Sequence, residues 1–136
     1  MKDFAKYEEE LLQHRRYFHM YPELGLQEEK TSAYIRTYLE RLGYEITFVP
    51  PTGMIAELPE LKHRDKTVVL RAEMDGLPME EKTDLPFASR NQGCMHACGH
   101  DGILAVALTF CGILAEEKDS FPVNVRFLFE PAEEIG

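Results

Sequence analysis

Two cysteines and two histidines lie within the seven residues 94–100, CMHACGH. Thiolate and imidazole groups are ligands that zinc and related transition-metal ions use in proteins. In an extended chain Cys98 and His100 face the same side, and Gly99 between them leaves room for an ion to approach. The spacing therefore indicates a metal site with Cys98 and His100 as ligands. For this pair alone, a buried free thiol beside a surface imidazole is the alternative.

Carboxylates follow two runs that have the character of strands. Glu133 and Glu134 come after one of them, and Asp75 follows the other. Metal-assisted amide hydrolysis needs a base for the proton of water and an acid for the leaving amine. Because neighbours at a strand end point to different sides, we expect Glu133 and Glu134 to have different roles. Taken alone, the glutamate pair is also typical of a solvated loop, and Asp75 of a turn.

The other thiols and imidazoles leave one further alternative open. A zinc knot using Cys94, His96, Cys98 and His100 would place four ligands in seven residues, which leaves little slack for a tetrahedral site. Cys111 lies in an apolar helical stretch and is typical of a small core residue. We expect Cys98 to be a thiolate, because the start of the following helix lowers the pKa of a nearby thiol.

The pattern of the surrounding chain predicts an α/β fold, with apolar residues at helical spacing and short β-branched runs. We predict amphipathic helices over 3–20 and 28–42, a strand pair over 44–49 and 53–58, central strands over 67–72 and 123–129, a long loop over 76–92 and a buried helix over 102–117. Gly43 is expected to cap the second helix and Asp101 to be the N-cap of the last. The polar residues then fall at the carboxyl ends of strands, where open α/β sheets carry their sites.

Composition restricts the classes of function. The chain has 136 residues, a net charge of -9 and 44% hydrophobic residues, as expected for one soluble globular domain. Nucleic-acid and anionic-membrane partners are not expected, because they reward clustered Lys and Arg. No apolar run resembles a signal peptide or a membrane span, so we expect a cytoplasmic location. Three cysteines in such a chain do not indicate a disulfide framework.

Four motifs in this order resemble one family of enzymes. They are HMYPELG from His19, RAEMDGLP from Arg71, HACGHDG from His96 and PAEE from Pro131. Together they resemble the aminoacylase and carboxypeptidase-G class of metal-dependent amidohydrolases, which are metallopeptidases. Within that class they are similar to hippurate hydrolases, N-acetyl-amino-acid deacetylases and indole-acetyl-amino-acid hydrolases. The resemblance implies a zinc-exopeptidase-like α/β fold, a three-layer sandwich with a mixed, mostly parallel central sheet and flanking helices.

The resemblance also implies roles for individual residues. It implies three metal ligands: Cys98, His100 and Glu134. Glu133 would be the general base and acid acting on water that the metal activates, and Asp75 would orient the site. His19 would have a structural or substrate-side role. The implied reaction is hydrolysis of the amide bond of an N-acyl amino acid or a small dipeptide-like substrate.

The sequence departs from the family pattern at three positions, none of which is a proposed ligand. Glu73 stands where the family usually has Asp, Ile103 where it has His, and Glu130 where it has Gln. The groups that support the ligands therefore differ, and these groups tune a metal site.

The family's enzymes are also longer than this chain. The resemblance implies that residues 1–136 are the N-terminal portion of the catalytic domain, without the lid and dimerisation domain and without two further His ligands. Complete enzymes hold two divalent ions, of Zn, Mn, Co or Ni, and are often homo-oligomeric. In this chain alone we expect one ion or none, weak metal binding and little hydrolysis. The alternative hypothesis is a truncated, catalytically inactive homologue that acts as a binding or assembly module.

Overall fold

A computed structural model describes residues 5–136 and shows an α/β architecture. The elements are helices α1 (Glu8–Met20), α2 (Glu29–Arg41) and α3 (His100–Glu117), and strands β1 (Glu45–Val49), β2 (Gly53–Glu57), β3 (Thr67–Glu73) and β4 (Asn124–Glu130). A short 3-10 helix, Ala5–Tyr7, precedes α1, and another, Glu133–Ile135, follows β4. The start predicted for the first helix, at Asp3, lies outside the described residues.

The four strands form one sheet in the order β1-β2-β4-β3. β2 is antiparallel to both β1 and β4, whereas β3 and β4 are parallel, with Thr67 opposite Asn124 and Glu73 opposite Glu130. α3 connects the parallel pair, as parallel neighbours require a long crossover. The predicted mixed sheet with flanking helices is confirmed. Among the four strands of this sheet, the parallel pair is β3 and β4, and the other pairs are antiparallel.

All three helices contribute to one buried cluster on one face of the sheet. Burial alternates along β4, where Val125, Phe127 and Phe129 are buried and Arg126 is exposed, as in a strand with one covered face. The large buried side chains of this cluster come from helices and strands alike: Phe18, Ile35, Leu39, Leu104, Leu108, Met54, Phe127 and Phe129. The described residues thus supply a helical layer and the sheet, two of the three predicted layers.

The helix stop and the hairpin predicted in the first half of the chain are confirmed. α2 ends at Arg41, and Gly43 then has a φ of 84°, a left-handed conformation that glycine adopts without steric cost. β1 and β2 pair through the turn at residues 50–52, with Val49 opposite Gly53.

The prediction that residues 67–72 form a central, buried strand is wrong for the described residues. β3 lies at the edge of the sheet, and Val68 and Val69 are 46% and 54% exposed. A β-branched run favours any strand position, because local composition reports a pleated surface and not the neighbours of the strand. The strand from 123 to 129 is central, as predicted.

The last helix begins earlier than predicted, and Asp101 is not its N-cap. Gly99 occupies the cap position with a φ of 122°, so His100 and Asp101 both lie in the first turn of α3. Glycine adopts this backbone conformation at little steric cost. The helix therefore starts at His100, two residues before the predicted start. α3 is also less enclosed than predicted, because Ile103 and Val106 are 41% and 58% exposed. None of the helices within residues 5–136 has the length and apolar character needed to cross a bilayer.

Candidate metal centre

The segments that leave β3 and β4 meet the first turn of α3. His100 begins this turn and Cys98 lies two residues before it, while Glu134 lies in the 3-10 helix after β4. One ligand atom from each of these three residues lies within 4.8 Å of the other two. The fold therefore brings together the three residues that the family resemblance predicted as ligands. Glu134 lies more than 30 residues after Cys98 and His100 in the sequence.

The His100 ring is held in a defined orientation. Nδ1 lies 2.9 Å from the backbone oxygen of Asp75, and the His100 side chain is 4% exposed. Because a carbonyl oxygen only accepts, Nδ1 carries the hydrogen, and in the neutral ring the Nε2 lone pair is free. Nε2 lies 3.6 Å from Glu133 Oε2 and 3.8 Å from Glu134 Oε1. This nitrogen therefore points at the two glutamates.

Asp75 links the His100 ring to the glutamate turn. Its buried carboxylate accepts a hydrogen bond from the Glu134 backbone N–H at 3.0 Å through Oδ2. Its other oxygen, Oδ1, lies 3.4 Å from His100 Nδ1. A single buried side chain thus contacts two of the three clustered residues, which supports their relative placement.

The turn after β4 places both glutamates on the same side of the site. Ala132 has a φ of 59° and a ψ of 32°, a left-handed conformation, and its N–H donates to Glu28 Oε1 at 2.8 Å. The chain therefore leaves the extended conformation before Glu133. The prediction that Glu133 and Glu134 point to different sides is wrong, because it assumed an extended strand end.

Three carboxylate oxygens at the site are buried and accept no hydrogen bond, which leaves their lone pairs available to a cation. Among the described residues, Glu73 Oε2, Asp75 Oδ1 and Glu134 Oε1 are buried and have no hydrogen-bond partner. Such unsatisfied groups cost about 1–3 kcal/mol each, and more when charged. A divalent ion beside a thiolate sulfur, an imidazole nitrogen and carboxylate oxygens matches the ligand types of zinc sites. The residues present therefore fit a metal ion.

The pKa of Cys98 is raised, against the prediction that the helix start would lower it. A hydrogen bond with the Glu134 carboxylate is the main cause, and the negative charges of Glu134, Glu133 and Glu73 add to it. Several carboxylates at close range outweigh the partial charge of one helix terminus. A cation among these groups favours the thiolate instead.

The remaining cysteines and His96 contribute no atom to the ligand cluster within the described residues. Cys94 and Cys111 are buried, and neither they nor His96 belong to the group of convergent ligand atoms in residues 5–136. This arrangement contradicts the four-ligand knot hypothesis and agrees with a core position for Cys111. His96 is buried with both ring nitrogens unpartnered, and burial is the main cause that lowers its pKa to about 4.

The sequence assigned no role to two charged groups near the site, although one of them, Arg71, begins the second motif. Arg71 contacts Glu73 at 3.0 Å, also pairs with Glu130, and lies 3.8 Å from Glu133 Oε1. Glu81 lies in the long loop, yet its side chain is only 3% exposed and faces His19 at 3.0 Å. An acidic residue in a polar loop carries no sequence signal of burial.

The fold is that of a class of metallohydrolase catalytic domains. The Bacillus subtilis YXEP protein, described as a dinuclear metal binding peptidase from the M20 family, matches 98% of this chain and 37% of its own, with a TM-score of 0.89 and 40% identity. An aminobenzoyl-glutamate utilization protein from Klebsiella pneumoniae shares the fold at 20% identity and a TM-score of 0.71, matching 96% of this chain and 38% of its own.

The chain belongs to peptidase family M20/M25/M40, whose family model matches residues 69–136. The family resemblance predicted from the four motifs is thereby confirmed. The chain is 42% identical over 130 residues to an N-acetyl-L-cysteine deacetylase of Bacillus subtilis, covering 95% of this chain and 31% of that protein. It is 42% identical over 136 residues to thermostable carboxypeptidase 1 of Saccharolobus solfataricus, covering 98% and 34%. The chain thus spans about a third of the length of these relatives.

Proposed function

We propose that this chain carries the metal-binding part of an amidohydrolase that cleaves the amide bond of an N-acyl amino acid or a small peptide-like substrate. The convergence of Cys98, His100 and Glu134 to within 4.8 Å carries the proposal. Relatives named as a deacetylase, an amidohydrolase and a carboxypeptidase support this class of reaction. All three names describe hydrolysis of an amide bond.

In this proposal, Cys98, His100 and Glu134 hold a divalent ion of Zn, Mn, Co or Ni. The bound ion would supply Lewis-acid chemistry that makes water more acidic and polarises the substrate carbonyl. The dinuclear description of the YXEP protein supports two such ions in a complete enzyme. Asp75 would keep the ligand geometry through its contacts to the His100 ring and to the Glu134 backbone.

Glu133 is the residue proposed to move protons. Its side chain is 37% exposed, more open to solvent than the Glu134 side chain at 19%, and it lies 3.6 Å from His100. A carboxylate open to solvent and next to the cluster can accept a proton from water and return it to the leaving amine. The Arg71 guanidinium at 3.8 Å offsets part of the negative charge around it.

We also propose that residues 1–136 form one portion, the N-terminal one, of a longer catalytic domain. The chain spans about a third of the length of its relatives, which supports further ligands and substrate contacts outside this segment. With Mn²⁺, Zn²⁺ or Co²⁺ added, we expect the purified chain to hydrolyse N-acyl amino acids slowly or not at all. Turnover at ordinary enzyme rates, about 1–10³ per second, would contradict this part of the proposal.

Metal titration tests the site directly. We expect one Co²⁺ ion to bind, with a charge-transfer absorption from the sulfur to the metal. C98A or H100A should weaken binding by more than about 100-fold, which exceeds the loss typical for residues that only hold the ligands in place. The matched control is H63A, which removes an exposed imidazole far from any ligand in the sequence. Absence of binding by the unmodified chain, or binding that C98A leaves unchanged, would overturn the site and favour the non-catalytic module.

A further inference from the structure

The C-terminal end of α1 carries a histidine that bridges two buried carboxylates. His19 Nδ1 lies 2.7 Å from Asp101 Oδ2, and Nε2 lies 3.0 Å from Glu81 Oε1. The side chains of His19, Asp101 and Glu81 are 4%, 2% and 3% exposed. Both ring nitrogens are therefore occupied by protein groups, and the ring is held at both ends.

One end of this bridge holds the start of α3. Asp101 directly follows His100, and its Oδ1 accepts the Gly102 N–H at 2.9 Å. Its Oδ2 faces both His19 and Arg15, whose Nε lies 3.1 Å away. Two cationic or polar groups of α1 thus fix the turn that presents His100, although neither touches a proposed ligand.

The other end of the bridge holds the long loop between β3 and α3. Glu81 accepts the Ser89 N–H at 2.5 Å and a hydrogen bond from Thr83, which folds the loop back on itself. The Arg90 N–H donates to the Met20 oxygen at 2.8 Å, so the loop also docks on the end of α1. Burial opposes ionisation of Glu81, but these hydrogen bonds, with that from His19, lower its pKa to about 2.

We propose that His19 is a positioning residue of the metal centre, which acts through Asp101 on the first turn of α3 and through Glu81 on the loop. This inference rests on the proposed function, because it concerns the affinity of the cluster for a metal. Helix starts fray when their N-terminal groups lose partners. Without the His19 ring, His100 would sample more orientations, and metal affinity would fall for lack of preorganisation.

The chain offers a matched control in His14, five residues earlier on α1. His14 is also buried, at 4% exposure, but its Nδ1 contacts the Tyr34 hydroxyl at 2.9 Å and its ring packs on Tyr38. Both histidines therefore contribute to packing of α1, and only His19 reaches the start of α3. A merely structural role would give the two positions the same effect on metal binding.

The experiment compares Co²⁺ affinity of the full chain, H19A and H14A at a temperature where circular dichroism shows all three folded. We expect H19A to weaken binding by at least about 10-fold, the lower end for groups that support ligands, and H14A by less than about 2-fold. H19Q keeps a hydrogen-bond donor, so its Co²⁺ affinity should lie between that of H19A and that of the unmodified chain. Equal losses in H19A and H14A, or no loss in H19A, would overturn the inference.

A second variant covers the case in which H19A does not fold. E81Q keeps the size of the side chain but removes the charge that faces His19, and it should weaken Co²⁺ binding by a few-fold, on the order of one lost supporting contact. Hydrogen exchange at the Ser89 amide should become faster in the same variant. Unchanged affinity in E81Q would then overturn the inference. If the unmodified chain binds no Co²⁺, the proposed function itself fails, which is a different result from unchanged affinity in the variants.

Discussion

Glu28 is fully buried and joins three segments that are distant in sequence. One oxygen accepts the Thr52 hydroxyl at 2.7 Å, in the turn between β1 and β2, and the other accepts the Ala132 N–H at 2.8 Å. The Ala132 contact matters for the site, because that left-handed residue directs Glu133 and Glu134 toward His100. A single buried carboxylate therefore holds the glutamate turn in place.

Replacing this carboxylate should destabilise the protein strongly. E28A removes two buried hydrogen bonds and leaves their donors unsatisfied, so we expect the free energy of unfolding to fall by about 2–4 kcal/mol. E29A, at the exposed neighbour, is the control and should change it by less than about 0.5 kcal/mol. Urea unfolding followed by circular dichroism measures both. Equal effects of the two variants would show that the Glu28 contacts contribute nothing specific.

At the scale of single residues, the motifs predicted which groups converge but not their electrostatics. The Cys98-Gly99-His100 spacing and the glutamate pair indicated the cluster, and the geometry agrees. The direction of the Cys98 pKa shift could not be predicted, because it depends on Glu73 at the end of β3 and Glu134 in the turn after β4, both distant in sequence. The side on which Glu133 lies depends on one backbone angle at Ala132, which alanine rarely adopts.

At the scale of elements, two glycines show opposite constraints on the segments that carry the site. Gly53 begins β2, and a Cβ there would lie 2.9 Å from Pro131 Cδ and 3.2 Å from the oxygens of Phe129 and Val49. Gly102 lies in the first turn of α3, where a Cβ would meet nothing within 4 Å. The hairpin approaches the turn after β4 too closely for any side chain, whereas the helix start is open.

Alanine at the two positions should therefore change stability in opposite directions. G53A forces atoms apart in a packed region and should lower the free energy of unfolding by about 1–3 kcal/mol. G102A removes a glycine from the first turn of α3 without a clash and should raise it by about 0.5 kcal/mol. Thermal or urea unfolding of the two variants tests the pair. A stabilising G53A would contradict the close contact between β2 and Pro131.

Local patterns predicted the helices and the hairpin because apolar periodicity and turn residues are encoded within each segment. The position of β3 in the sheet was not predictable from its own residues, since the same β-branched run fits a central or an edge strand. The early start of α3 follows from the φ of 122° at Gly99, which the sequence permits but does not require.

At the scale of the whole molecule, the Glu81 carboxylate joins the long loop to α1 and stays ionised well below pH 4.5. Burial opposes the ionisation of the Glu81 carboxyl group. The hydrogen bonds from Thr83, the Ser89 amide and His19 outweigh burial and lower its pKa from the ordinary 4.5 to about 2. The folded protein therefore holds this charge where the unfolded chain would already be protonated. Below pH 4.5 the unfolded state binds the extra proton, so protonation favours unfolding.

The contribution of the ionised Glu81 to the free energy of unfolding should be complete above pH 4.5. It should be lost as the pH falls through 4.5 toward 2. At neutral pH, E81Q should lower the free energy of unfolding by about 1–3 kcal/mol, the range for hydrogen bonds to a charged group. The difference from the unmodified chain should shrink steadily below pH 4.5. Urea unfolding at a series of pH values measures it, with E80Q, at the exposed preceding glutamate, as the control. A gap between E81Q and the unmodified chain that stays constant down to pH 2 would show that the loop is not anchored by this charge.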